Sequence, residues 1–192
     1  MNDDPFERFG AWLSEALETE PGEPNAMTLA TATTEGVVSA RMVLLRGFER
    51  GGFDFFTNYE SRKGRELSEN PRAALVFHWA ILKRQVCING SVVRLNPAGS
   101  DAYFAVRPRG HQIAAWASEQ SRAIEDRRVL EKRVARFERE FEGRDVPRPP
   151  HWGGFRVIPE TIEFWEGRPD RLHDRLRFTR EGEGWKPERL AP

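Results

Sequence analysis

Apolar residues near the start of the chain recur at helical spacing, with Phe6, Phe9, Leu13 and Ala16 or Leu17 forming one stripe. Asp4 stands before it as an N-cap, Pro5 takes the first helical position and Glu7 follows three residues after the cap, so a helix is predicted to begin there. Glu20-Pro-Gly-Glu-Pro24 ends it. From about residue 26 the pattern changes to strand-like runs at 27–33, 37–46, 52–57 and 72–79. Compact Gly-bearing connections, Thr34-Glu-Gly36 and Glu49-Arg-Gly-Gly52, join them as antiparallel neighbours. A fifth run at 84–95 alternates: Val86, Ile88, Gly90 and Val92 share one face, and Gln85, Cys87 and Asn89 the other. One face is predicted core, and the other could meet a ligand.

Ser61 opens a short helical segment over 61–67 whose first turn carries Arg62 and Lys63. Cations there oppose the helix dipole, which points to an anion at this end. Helical patterns follow at 97–106 and 122–141, the second with Leu130, Val134, Phe137 and Phe141 as a packing stripe and Gly143 as its stop. Residues 145–154, rich in proline and glycine, are expected to be irregular, and strand-like runs resume at 155–166, 171–180 and 185–190. Six to eight short antiparallel strands with peripheral helices predict a mainly β single domain over residues 1–192, a small closed or split barrel.

Composition narrows the function classes. Thirty basic and thirty acidic side chains balance, so no global field draws the chain to nucleic acid or to an anionic membrane. Of the cations, 26 are arginine, the better fork for phosphate. The single cysteine, Cys87, excludes an intrachain disulfide and a thiolate zinc cluster, and no metal site is expected. The start, with Asp3, Asp4 and Glu7, lacks a basic leader, and no stretch approaches about 18 apolar residues, so a soluble cytoplasmic protein is expected.

No dinucleotide, Walker, zincin or nucleophile-elbow motif is present. Instead Arg41, Arg46, Arg62, Lys63, Arg107, Arg171 and Arg175 fall at strand ends or helix starts, next to aromatic or amide residues. Arginines flanking strands are ordinarily solvated edge residues, but two separate phosphate pockets would need about this many donors.

Particular words of the sequence favour the second reading. Arg41-Met-Val-Leu-Leu-Arg46, the run from Phe56 to Leu67 and Arg107-Pro-Arg-Gly-His-Gln-Ile-Ala-Ala-Trp-Ala-Ser118 closely resemble the pyridoxamine 5'-phosphate oxidase family. So do Pro147-Arg-Pro-Pro-His-Trp-Gly-Gly154 and the run from Ile162 to Arg175 with its Arg171-Leu-His-Asp-Arg175 ending. The resemblance implies a homodimeric FMN-binding split β-barrel whose active site is built from both chains, residues from about 147 to 192 completing it at the interface. It implies FMN contacts from Arg41, Met42, Val43, Leu44, Leu45 and Arg46, from Phe56 and Thr57, and from Arg62 and Lys63 on the phosphate. Gln85, Gln120, Ser121, Trp165 and Arg175 complete that set.

By the same resemblance, the substrate phosphate lies against Arg46, Tyr103, Arg107 and His111, with Arg171 and His173 as the catalytic pair over the pyridine ring. The implied reaction oxidises pyridoxamine 5'-phosphate or pyridoxine 5'-phosphate to pyridoxal 5'-phosphate, with O2 as acceptor and hydrogen peroxide as by-product. Three positions depart from the family pattern: Arg46 replaces the usual lysine, His111 the usual serine and Phe56 the usual tyrosine. His78 and His151 lack such a context and read as structural. The competing readings are a phenazine-type oxidase on the same barrel, and a protein that holds FMN or pyridoxal phosphate without turnover.

Overall fold

The computed structural model describes residues 4–192; Asp3 of the acidic start lies outside them. Helix α1 (Pro5–Thr19) begins as its cap predicts, the Asp4 carboxylate accepting from the Phe6 N–H at 2.8 Å. Phe6, Phe9, Leu13 and Ala16 are buried and Leu17 is exposed, so Ala16 completes the stripe. Then follow β1 (Ala26–Ala32), β2 (Val38–Leu44), β3 (Gly47–Glu49), β4 (Gly52–Asn58), α2 (Arg62–Glu69), β5 (Arg72–Trp79) and β6 (Arg84–Arg94). Helices α3 (Pro97–Ala105), α4 (Arg109–Ala117) and α5 (Arg127–Glu140) precede β7 (Trp152–Glu166). A 3-10 turn at Pro169–Arg171, β8 (Asp174–Glu181) and β9 (Gly184–Arg189) complete the described chain.

All nine strands join one antiparallel sheet with the path β2-β1-β5-β6-β7-β4-β3, and β8 and β9 extend it from β7. The two ends of that path, β2 and β3, are separated in the chain only by Leu45 and Arg46, so the sheet must curl until its edges meet. The Arg46 N–H donates to the Asp54 carbonyl of β4 at 2.8 Å, carrying the β3–β4 pairing back to that link. Strand β7 serves both halves: residues 152–157 pair with β4 and residues 161–166 pair with β8. A register shift in β6 between Asn89 and Gly90 bends the sheet between them. The mainly β barrel with helices outside it is the predicted architecture.

Alternation fills the barrel interior. Met27, Leu29, Phe53, Phe55, Leu75, Phe77, Val86, Ile88, Val157 and Ile162 are all fully buried, and each contributes about 1.5–3 kcal/mol by leaving water. Phe9 of α1 plugs one end, edge-on to Phe48, Phe53 and Phe77 at 4.9–5.0 Å. A second cluster, with Phe104, Ile113, Ala117, Phe137, Phe141, Val146 and Trp152, packs α3, α4 and α5 onto the start of β7. That second core holds the helices beside the barrel mouth.

Several local differences from the sequence reading have physical causes. Helix α4 lacks a side-chain cap at Pro108, so its start carries no recognisable signal. The stretch 122–141 becomes helical only from Arg127, because the Asp126 carboxylate caps it by accepting from the Val129 N–H at 3.2 Å. Strand β7 starts inside the segment expected to be irregular. Its Gly153 and Gly154 are there for close approach, since a Cβ would collide with the Tyr59 hydroxyl or with Leu95 and Phe56. Arg171 and His173 lie in the turn before β8, not in a strand.

Candidate active site

A cavity of about 710 Å³ opens where β2, β4, α3 and α4 meet, with the start of α2 at its edge. Met42, Val43 and Leu44 line it from the end of β2, Arg46 from the link to β3, and Phe56 and Thr57 from β4. Lys63, Tyr103, Arg107, His111 and Gln120 complete the predicted part of its wall. One side is a flat aromatic face: Phe56 stacks on Tyr103 at 4.1 Å and on Trp152 at 5.4 Å, with interplanar angles of 23° and 13°. A larger groove of about 1130 Å³, beside the start of α4 and the end of α5, holds none of the predicted residues. Its Arg109 is committed to the Phe141 and Arg144 carbonyls.

The cationic helix start lies at the edge of the cavity. Ser61 caps α2, its Oγ accepting from the Gly64 N–H at 3.2 Å. The Lys63 ammonium is buried and meets only neutral oxygens: Thr57 Oγ1 at 3.2 Å, Gln120 Oε1 at 3.3 Å and Ser61 Oγ at 3.4 Å. Burial, with the Arg41 charge adding to it, pulls its pKa from 10.5 down to about 8. Such a lysine is short of negative charge, and a phosphate would supply it.

Glu66 organises the neighbouring cations. Burial pushes its carboxyl up, but hydrogen bonds from Ser39, Thr31 and Arg62 and the Arg41 charge outweigh that and bring the pKa down to about 2. Oε1 accepts from Arg62 Nε at 2.8 Å, and Oε2 meets Arg41 Nη2 at 3.3 Å. Arg41 also donates to Thr31 Oγ1 at 2.6 Å and to the Ser39 hydroxyl. Arg41 and Arg62, two of the predicted FMN contacts, are therefore tethered by one carboxylate, a residue the sequence reading missed because an i,i+4 Arg–Glu pair looks like an ordinary surface pair.

On the helical side of the cavity Arg107 is the unusual group. Its Nη1 is buried without a hydrogen-bond partner, and no acidic side chain pairs with it among the described residues. Burial lowers its pKa, and the nearby Arg46 charge adds to that, against the effect of Tyr103. Arg46 itself lies 5.9 Å over the Tyr103 ring. His111 lines the same end from the first turn of α4, whose dipole also favours an anion.

The other predicted residues lie elsewhere on the chain. Gln85, Trp165 and Arg175 are cross-strand neighbours on β6, β7 and β8. Arg175 Nε donates to Glu163 at 2.8 Å. His173 sits 4.6 Å from Trp165, and its Nδ1 accepts the Arg168 N–H at 3.1 Å. The neutral imidazole therefore carries its proton on Nε2, as a donor. Asp170 and Arg171 both adopt left-handed backbone, with φ of 55° and 61°, a conformation that costs about 1–3 kcal/mol in a non-glycine residue. Ser121 is left-handed too, with φ of 71°, in the turn that carries Gln120.

The two groups sit at opposite ends of β7. Trp152 borders the cavity and Trp165 belongs to the second group, at the two ends of the 15-residue strand. A single protomer thus keeps the two groups of predicted residues apart.

A family model described as pyridoxamine 5'-phosphate oxidase matches residues 13–140, and one described as the pyridoxine 5'-phosphate oxidase C-terminal dimerisation region matches residues 152–192. The chain belongs to the pyridoxamine 5'-phosphate oxidase family. A pyridoxine/pyridoxamine 5'-phosphate oxidase of Rubrobacter xylanophilus is 59% identical over 189 residues, 98% of this chain and 87% of the relative. One from Synechocystis is 56% identical over 190 residues, 99% of this chain and 89% of the relative. Among solved structures, PhzG from Burkholderia lata, crystallised with tetrahydrophenazine-1-carboxylic acid, superposes with a TM-score of 0.93 at 35% identity, covering 98% of this chain and 93% of that one. Trp165, His173 and Arg175 fall within the residues matched by the dimerisation-region model, as does Trp152.

Proposed function

We propose that this chain oxidises pyridoxamine 5'-phosphate or pyridoxine 5'-phosphate to pyridoxal 5'-phosphate, with FMN as cofactor and O2 as final acceptor, giving hydrogen peroxide. The observation that carries this reading is a pair of desolvated cations in one aromatic-walled cavity, Lys63 at one phosphate seat and Arg107 at the other, neither compensated by a directly bonded carboxylate. The residues fit FMN: Lys63, Arg62 and Arg41 would hold its phosphate, with Gln120, Ser121, Thr57 and Phe56 beside it. When bound, FMN supplies the acceptor for the hydride that leaves the substrate C4' carbon.

The protein's part is binding, orientation and exclusion of water. Arg46, Tyr103, Arg107 and His111 hold the substrate phosphate, and Phe56 and Tyr103 keep the cavity wall flat and dry. Arg171 and His173 come from the second group, in the reading that a dimer places one protomer's half against its partner's. His173 then offers an Nε2–H to the substrate ring, which makes it an orienting donor. An amine substrate leaves as an imine that water hydrolyses to the aldehyde and ammonia, and an alcohol gives the aldehyde directly.

The test is to saturate the purified protein with FMN and add each B6 phosphate in air. Pyridoxal phosphate and peroxide in equal amounts support the reading. Bound flavin without aldehyde overturns it, and oxidation of a reduced phenazine carboxylate in its place would assign the chain to the chemistry suggested by the PhzG likeness.

A further inference from the structure

The cavity contains a tryptophan with no role in the reading above. Trp152 opens β7, is buried, and is fixed from several directions. It is paired in register with Asn58 of β4, its N–H donates to the Pro149 carbonyl at 3.1 Å, and its carbonyl accepts from Arg148 Nη1 at 2.6 Å. Phe56 stacks on the indole, and Phe104 meets it edge-on at 5.1 Å. The strand and these bonds fix its backbone, and the indole itself cannot turn without disturbing the Phe56 stack and the second core. Onto this ring lies the Arg107 guanidinium, its Cζ 4.6 Å from the indole centroid and 5.7 Å from Phe104.

The contrast with two other half-buried arginines gives this contact its meaning. Arg41 is tied to Glu66, and Arg156 to Asp54 and Glu49. Their charges are already answered by carboxylates. A π-face attracts a cation and fixes its plane without neutralising it. It offers no acceptor for the N–H groups, and Nη1 is left without a hydrogen-bond partner while the residue lines the cavity.

We propose that Trp152 is a positioning residue for substrate phosphate: its indole face holds Arg107 in place with its charge uncompensated. This rests on the oxidase reading, in which Arg107 binds the phosphate, and concerns one contact within it.

The experiment compares FMN-saturated wild-type, Trp152→Phe and Trp152→Leu proteins. Each is assayed with pyridoxamine 5'-phosphate and with pyridoxamine, which lacks the phosphate, and inorganic phosphate is titrated as a competing ligand. Losing the indole face should raise KM for the phosphorylated amine about tenfold in Trp152→Leu and about threefold in Trp152→Phe. The dissociation constant for inorganic phosphate should rise in parallel, whereas KM for pyridoxamine and the FMN affinity stay within about twofold. The phenylalanine variant keeps an aromatic wall and covers the case in which the leucine variant does not fold. Equal rises in KM for both amines, or a loss confined to FMN affinity, would make Trp152 a wall residue only and overturn the proposal. An unchanged phosphate constant would overturn it as well. If the wild-type protein does not oxidise either amine, the oxidase reading fails, while the phosphate titration still decides whether Trp152 governs the anion seat.

Discussion

Lys63 gives the sharpest energetic prediction. It is 7% exposed and touches only neutral oxygens, and its pKa falls from 10.5 to about 8 chiefly through burial. That fall corresponds to about 3 kcal/mol by which the charged lysine destabilises the FMN-free protein. The folded pKa lies below the unfolded one, so the unfolded chain binds more protons between pH 8 and 10.5, and stability of the FMN-free protein rises with pH across that window. Below about pH 8 the penalty is present in full. Replacing Lys63 with Met should therefore raise the unfolding free energy of the FMN-free protein by about 1–3 kcal/mol at pH 7. The same substitution should weaken FMN binding about 100-fold, the equivalent of about 3 kcal/mol.

Two measurements check this. Urea unfolding of the FMN-free proteins gives the first quantity, and quenching of flavin fluorescence gives the second. In the wild-type protein the FMN dissociation constant should hold steady from about pH 7 to 8 and then rise, because above its folded pKa Lys63 must take up a proton to meet the phosphate. If Lys63→Met is less stable than wild type without FMN, or if the wild-type constant is flat to about pH 9.5, the reasoning is refuted.

The second group supports further tests. Arg171→Gly relieves a left-handed residue and should gain about 1 kcal/mol in thermal or urea unfolding while turnover falls at least about 100-fold; a loss of stability would show that φ of 61° carries no strain. His173→Gln places an amide N–H near the Nε2 position and should keep activity within about tenfold of wild type, whereas His173→Asn, which cannot reach that far, should lose more; equal losses would argue for a proton-transfer role. Reverting Arg46→Lys and His111→Ser together should lower KM for pyridoxamine 5'-phosphate, since a planar guanidinium and an imidazole are not equivalent to an ammonium and a hydroxyl as phosphate donors. An unchanged KM would dismiss any cost of the two replacements.

How much of this was legible in the sequence depended on whether the signal was local. The α1 cap, the Ser61 cap with its cationic turn and the alternation of Val86, Ile88 and Val92 are properties of neighbouring residues, and each stands as read. Helix α4 was hidden because Pro108 supplies no capping oxygen. The strand character of Gly153 and Gly154 was hidden because it depends on Tyr59, almost a hundred residues away. The left-handed turn at Asp170 and Arg171 leaves no mark on composition, since no glycine is present there.

For the site, the separate words supplied candidates but not their partners. Glu66 and Trp152 escaped notice because what makes them functional candidates is what they hold, Arg41 and Arg62 in one case and Arg107 in the other. Nor could the residue list reveal that Arg107 and His173 belong to different halves of the protomer. That appears only once β7 is seen to run from Trp152 at the cavity to Trp165 in the second group.

Mixing two inactive variants tests this division most directly. Arg107→Ala removes the phosphate seat and His173→Ala the overhead donor, so each homodimer should be nearly inactive. If each site combines Arg107 of one protomer with His173 of the other, a heterodimer carries one intact site and one doubly altered site. Unfolding and refolding the two variants together in equal amounts should then restore about a quarter of wild-type activity, since half the dimers are mixed and each mixed dimer has one working site of two. Mixed dimers that form, as shown by a tag on one variant, yet remain as inactive as either parent would contradict a site shared between protomers.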